Sequence, residues 1–254
     1  MSFVVVIPAR YAATRLPGKP LLDIGGKPMV QWVVEAATKS RATEVLVATD
    51  DTRIAHAVHD PREPNKTIAI LTRAEHPSGT DRIAEVAQRY RWSNETIVVN
   101  VQGDEPHIPP AVIDQVAELL EKDSRADMAT LCTPLASIRE MLDPNVVKVV
   151  SADDGAALYF SRAPIPWARD TAPSDLMSQT SYAQGFRHLG IYAYRVNALL
   201  RLTQSPPSQL EKIERLEQLR ALQLGMRIAV AQAVVVPGVG VDTAADLERA
   251  RTHS

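Results

Sequence analysis

Phe3-Val4-Val5-Val6-Ile7 is apolar at every position and stops at Pro8. With no polar alternation, such a run fits a strand covered on both faces, as in the centre of a parallel sheet. The spacing then changes, because Met29, Val30, Trp32, Val33, Val34 and Ala37 recur at helical intervals before a second apolar run, Glu44 to Thr49. Strand, helix and strand in that order predict a βαβ unit. The alternation predicts a helix over Thr52 to Val58, a short strand over Thr67 to Leu71, a helix from Asp81 and a buried strand over Thr96 to Val101. In the helix from Asp81, residues Ile83, Val86, Ala87 and Tyr90 share one face. Val112, Ile113, Val116, Leu119 and Leu120 mark another amphipathic helix, entered through Pro109-Pro110.

From Asp143 the rhythm changes. Val146 to Val150 and Ala156 to Phe160 read as strands, followed by a Pro- and Ser-rich stretch from Ala163 to Gly185. Beyond it come a strand over His188 to Tyr194, one helix from about Ser208 to Leu224 carrying Leu210, Ile213, Leu216 and Leu219, a strand over Ile228 to Val236 and a short helix with Leu247. The expectation is one α/β domain over 1–254: a Rossmann-like, mostly parallel central sheet flanked by helices, with a lobe inserted at roughly 145–205.

Composition narrows the function. A chain of 254 residues, 45% hydrophobic and 23% charged, is globular and buries about three quarters of its unfolded surface. Its 28 Lys and Arg against 30 Asp and Glu leave a net charge of -2, without the bulk basic field of a nucleic-acid binder. Aromatic residues at 5% also argue against a stacking platform for single strands. The single cysteine, Cys132, allows no intramolecular disulfide and lacks zinc-site spacing. The longest apolar runs fall far short of the roughly 20 residues that span a bilayer, and Met1-Ser2 leads into the first strand without a basic leader. A cytoplasmic protein with no membrane and no nucleic-acid partner is expected, holding any anion locally.

Two loops offer local charge. Directly after the first strand, in Pro8-Ala9-Arg10-Tyr11-Ala12-Ala13-Thr14-Arg15-Leu16-Pro17-Gly18-Lys19-Pro20, three cations fall within ten positions. Ligands of open α/β sheets sit at the carboxyl ends of strands, so Arg10, Arg15 and Lys19 are placed to surround a polyphosphate, unless they are simply solvated. A P-loop is excluded, because Ala13 stands where it needs Gly and Pro20 where it needs Ser or Thr, and no G-x-G-x-x-G follows the strand. The second loop, Gln102-Gly103-Asp104-Glu105-Pro106, ends a buried strand, with Gly103 permitting close backbone approach. Asp104, joined by Asp242 of Gly238-Val239-Gly240-Val241-Asp242, would supply the one or two carboxylates that Mg²⁺ takes beside phosphate oxygens. Each Asp also suits a turn or an N-cap, and Asp242 stands where it could cap the last helix.

On these pieces the sequence resembles the sugar-activating cytidylyltransferases nearly end to end. The carriers are IPARYAATRLPGKPL from Ile7, VATD from Val47, HPSGTDR from His76, VNVQGDEP from Val99, NVVKVV from Asn145, ALYFSRAPIPW from Ala157, RHLGIYAYR from Arg187, LEKIERLEQLRAL from Leu210 and GVGVDT from Gly238. The resemblance implies a nucleotidyltransferase fold and a homodimer joined through the inserted lobe. It also implies transfer of CMP from CTP to the anomeric oxygen of the sugar acid 3-deoxy-D-manno-octulosonate (Kdo). The products are CMP-Kdo, a precursor for lipopolysaccharide biosynthesis, and pyrophosphate. An acylneuraminate cytidylyltransferase is the alternative.

Carried over by position, Arg10, Arg15 and Lys19 hold the triphosphate with Pro8 and Ala9 of the same loop, and Asp104 and Asp242 hold Mg²⁺. Arg73 and Ser78 read the cytosine and ribose, and Gln102 serves both substrates. Arg162, His188, Tyr192, Glu217 and Gln218 complete the sugar site. The residues by themselves leave plainer readings open: His188 as a satisfied core histidine, Arg162 as half of an ion pair, Glu217 and Gln218 as a solvated helix face.

Overall fold

The opening apolar run is the middle of a mixed sheet. In the computed structural model, which describes residues 2–12, 16–63, 66, 68–169, 185–238 and 240–252, it forms β1 (Phe3–Ala9). The chain continues through a small hairpin, β2 (Asp23–Ile24) and β3 (Lys27–Pro28), into α1 (Met29–Thr38), β4 (Glu44–Thr49), α2 (Thr52–Ala57) and β5 (Ala69–Leu71). Then come α3 (Gly79–Arg89), β6 (Ile97–Asn100), α4 (Pro110–Lys122), β7 (Met128–Pro134) and α5 (Ile138–Leu142). The remaining elements are β8 (Lys148–Ser151), β9 (Ala157–Ser161), β10 (Phe186–Arg195), α6 (Val196–Gln204), α7 (Gln209–Glu214), α8 (Gln218–Gln223), β11 (Ile228–Gln232) and α9 (Ala244–Arg251).

The main path runs β11-β7-β10-β6-β1-β4-β5. β1 lies parallel between β4 and β6, with Val5 opposite both Val45 and Val99. Only β10 runs against its neighbours β6 and β7 on this path. β1 is apolar on both faces because both are covered. Phe3, Val5 and Ile7 join α1 and α4 in one core, while Val4 and Val6 join α3, α6 and α8 in the other.

Within the span 145–205, β8 and β9 form an antiparallel hairpin that extends from β10. β10 and α6 belong to the main sheet and its helical layer. Residues 170–184, most of the Pro- and Ser-rich stretch, lie outside the described residues.

Several elements depart from the sequence expectation. The helix expected over Ser208 to Leu224 is two helices, separated at Arg215, whose φ of 55° and ψ of 45° are left-handed. The break is held by β9: the Glu214 carboxylate accepts from Ser161 Oγ at 2.7 Å and Arg162 N at 2.9 Å, and the Glu214 carbonyl accepts from Arg162 Nε at 2.6 Å. Ile213, expected on the apolar face, is therefore exposed. β11 ends at Gln232 rather than Val236, because Gln115 of α4 satisfies the strand end, donating to the Gln232 carbonyl and accepting from Val234 N. α3 begins at Gly79, two residues before the expected Asp81, since Ser78 caps it. Strand β7 and helices α5 and α6 were not anticipated.

Candidate active site

β1, β6 and α3 meet at one end of the sheet, where a cleft of about 450 Å³ opens at the carboxyl ends of β1 and β6. Close packing makes the floor. A Cβ on Gly103 would meet the Pro8 carbonyl at 3.0 Å, and one on Gly79 would meet the Pro8 ring at 3.1 Å. Glycine at these positions lets the QGD turn and the start of α3 press against the end of β1. Gly18, at φ 67°, turns the β1 loop back, and its N–H reaches the Tyr11 carbonyl at 3.1 Å.

The loop thereby returns Lys19 to the cleft, where its Nζ donates to Asp104 Oδ2 at 2.6 Å and Asp242 Oδ1 at 3.1 Å. Asp242 comes from the far end of the chain, and the Val241 N–H on the Asp104 carbonyl at 2.9 Å fixes that approach. Thr243, not Asp242, caps α9, in a reciprocal capping box with Asp246. The Asp242 carboxylate is thus turned to Lys19 rather than to the helix.

These carboxylates suit a divalent cation. Both lie within 3.1 Å of one positive atom, and carboxylate oxygens are the hard donors Mg²⁺ prefers. Among the described residues, no group of three or more His, Cys, Asp or Glu could hold a metal. Two carboxylates would leave the remaining ligand positions to phosphate and water, the usual arrangement for Mg²⁺ beside a nucleotide.

Of the residues expected from sequence, Pro8, Ala9, Arg10, Lys19, Ser78, Gln102, Asp104 and Asp242 line this cleft. Arg15 lies outside the described residues. Arg73 lines an adjoining hollow of about 360 Å³ with Glu75, His76, Asp81, Glu85, Gln88, Thr203 and Gln204, and its side chain is largely exposed. His76 and Arg82 line the main cleft and were missed as site residues, although both stand in the HPSGTDR segment. Arg82 is buried, donating to Thr72 Oγ1, to the Arg73 carbonyl at 3.2 Å and to Asp50 Oδ2 at 3.2 Å. His76 is hydrogen-bonded to Glu85.

Of the residues expected to bind the sugar, Gln102 lines the cleft, whereas Arg162, His188, Tyr192, Glu217 and Gln218 are not among its lining residues. His188 and Tyr192 share a face of β10, with ring centres 5.3 Å apart, and a bulge between Leu189 and Tyr192 adds two residues without reversing that face. Burial pushes His188 down to about 3, aided by the charge of Arg187. It also raises the Tyr192 phenol well above its ordinary value. His188 Nε2 contacts Thr130 Oγ1 at 3.0 Å. Glu217 precedes α8, where burial raises its carboxyl while Thr80 and Arg220 act against that rise. Gln218 is buried in the first turn of α8. Arg162 is held by the Glu214 carbonyl and by the Pro144 carbonyl at 2.7 Å.

A family model described as Cytidylyltransferase matches residues 4–228. The chain belongs to the cytidylyltransferase family. The 3-deoxy-manno-octulosonate cytidylyltransferase of Thioalkalivibrio sulfidiphilus is 55% identical to it over 249 residues, covering 98% of this chain and 97% of its own. That of Aeromonas salmonicida is 55% identical over 255 residues, covering 99% and 98%. Among solved structures, a CMP:2-keto-3-deoxy-manno-octonic acid synthetase complexed with CTP matches this cytidylyltransferase with a TM-score of 0.88 and 43% identity. It covers 100% of this chain and 98% of its own. The α/β fold with a mostly parallel sheet is thus that of a nucleotidyltransferase.

Proposed function

We propose that this cytidylyltransferase transfers CMP from CTP to Kdo, giving CMP-Kdo and pyrophosphate. One observation carries the reading: over its whole length the chain is similar to a synthetase of this activity complexed with CTP, at a TM-score of 0.88. The cleft chemistry agrees. In the reaction the anomeric oxygen of Kdo bonds to the α-phosphorus as the bond from that phosphorus to the departing pyrophosphate breaks. Such chemistry asks the protein mainly to align both oxygens and to offset charge growing on the leaving group.

Arg10 and Lys19, with Arg15, supply that positive charge as charge-assisted donors to the triphosphate. Asp104 and Asp242 would hold Mg²⁺, which neutralises phosphate charge and polarises the α-phosphoryl group when bound. Ser78 and Gly79 bring the start of α3 to the nucleotide, and Arg73 closes its outer side. Gln102 faces both substrates. Arg162, His188, Tyr192, Glu217 and Gln218 orient the sugar acid, whose many hydroxyls need matched polar partners. Two chains pair through the lobe inserted at roughly 145–205, and the enzyme works in the cytoplasm. No helix among the described residues is long and apolar enough to cross a membrane.

Pyrophosphate release from CTP and Mg²⁺ tests the reading, with Kdo, acylneuraminate or methylerythritol phosphate as acceptor. Release is expected with Kdo alone. Background release with Kdo and turnover with another acceptor would overturn it.

A further inference from the structure

Thr80 sits where the two substrate sides meet. It is the second residue of α3, directly after Ser78 and Gly79, which line the nucleotide cleft. Its side chain points the other way: it is buried, and its hydroxyl donates to Glu217 Oε2 across 137 residues of sequence. The second carboxylate oxygen of Glu217 accepts from Arg220 Nη2 at 3.1 Å, and Arg220 is itself anchored to Glu211 at 3.0 Å and to the Leu202 and Ser205 carbonyls. Glu217 is therefore gripped from two helices, by Arg220 from its own side and by Thr80 from the nucleotide side. Arg220 has four acceptors, whereas the single Thr80 proton is given to Glu217.

From this geometry we infer that Thr80 is a positioning residue, holding the Glu217 carboxylate in the orientation that receives the acceptor sugar. A neutral hydroxyl suits the task. It fixes the direction of a carboxylate whose charge Arg220 already balances, leaving its remaining lone pairs to accept from hydroxyls of a polyhydroxylated acid. The same bond joins the start of α3, where Ser78 and Gly79 line the nucleotide cleft, to the acceptor side, so CTP bound against them steadies Glu217. The inference rests on the proposed function and on Glu217 facing the acceptor.

Steady-state kinetics of the full chain with CTP, Mg²⁺ and Kdo provide the test. Thr80→Val keeps the shape and removes the donor, and is expected to raise KM for Kdo about tenfold while KM for CTP changes less than about twofold, the loss typical of one hydrogen bond to a charged group. Thr80→Ser should restore the wild-type KM for Kdo. In a Glu217→Gln background, Thr80→Val should add little, because the group it orients is already altered. Thr80→Ala is assayed in parallel, and melting of each variant verifies the fold. An unchanged KM for Kdo in both Val and Ala variants, an equal rise in both KM values, or full additivity with Glu217→Gln would overturn the inference. A wild-type chain inactive with Kdo would instead overturn the functional reading, and the inference with it.

Discussion

His188 shows how one buried side chain carries a pH dependence through the whole fold. In the unfolded chain an imidazole titrates near 6.5, but burial among Phe160, Tyr192 and Thr130 takes it to about 3. Between those values the unfolded state binds more protons than the native state, so stability falls as pH drops from 6.5 toward 3. At full difference the slope is about 1.4 kcal/mol per pH unit. His188→Gln keeps a hydrogen-bonding group toward Thr130 and removes the titration, so urea-unfolding free energies measured from pH 6.5 to 4 should decline less steeply than in the wild type. An identical slope in the variant would remove His188 from the acid sensitivity. At this scale the sequence was informative where charge clustered: Lys19 lies in the loop that follows β1 and Asp104 in the loop that follows β6. His76 and Arg82 were missed because their roles depend on Glu85 and Asp50, partners that only the fold brings near.

At the scale of elements, periodicity located what buries a continuous apolar face and missed what does not. β1, β4 and α4 were legible because their apolar positions are dense. β7 reads MATLCTP, and its buried Thr130 and Thr133 look polar in sequence, although the Thr130 hydroxyl donates to carbonyls of β10. The break between α7 and α8 was illegible for a different reason. No Gly or Pro marks it, and Arg215 takes the left-handed conformation because Glu214 is held by the end of β9. That conformation strains an L side chain, so Arg215→Gly is expected to stabilise the protein by about 0.5–1 kcal/mol. Arg215→Val should destabilise it by at least as much, since β-branching worsens the strain. Urea melts of the two variants decide this, and equal or reversed shifts would show that the backbone at Arg215 is not strained.

For the molecule as a whole, a net charge of -2 conceals a site where charge is exchanged between chain and ligand. Lys19 spans 85 residues to Asp104 and 223 to Asp242, tying the first loop to the middle and end of the chain. Its ammonium stands between the two carboxylates that would share Mg²⁺, so in the nucleotide-free protein the ion would compete with a resident positive charge. A triphosphate would resolve the competition by offering Lys19 new acceptors and the metal new ligands. Wild-type protein should therefore gain little thermal stability from Mg²⁺ alone and much more from Mg²⁺ with CTP. Lys19→Met should melt lower without metal, by no more than about 1 kcal/mol since both carboxylates are partly exposed. The variant should then respond to Mg²⁺ alone. At ten times its dissociation constant the ion would return about 1.4 kcal/mol, a rise of about 3–6 °C in a chain of this size. Thermal melts across a Mg²⁺ titration measure both proteins, and equal responses to Mg²⁺ alone would mean that Lys19 does not guard the carboxylates.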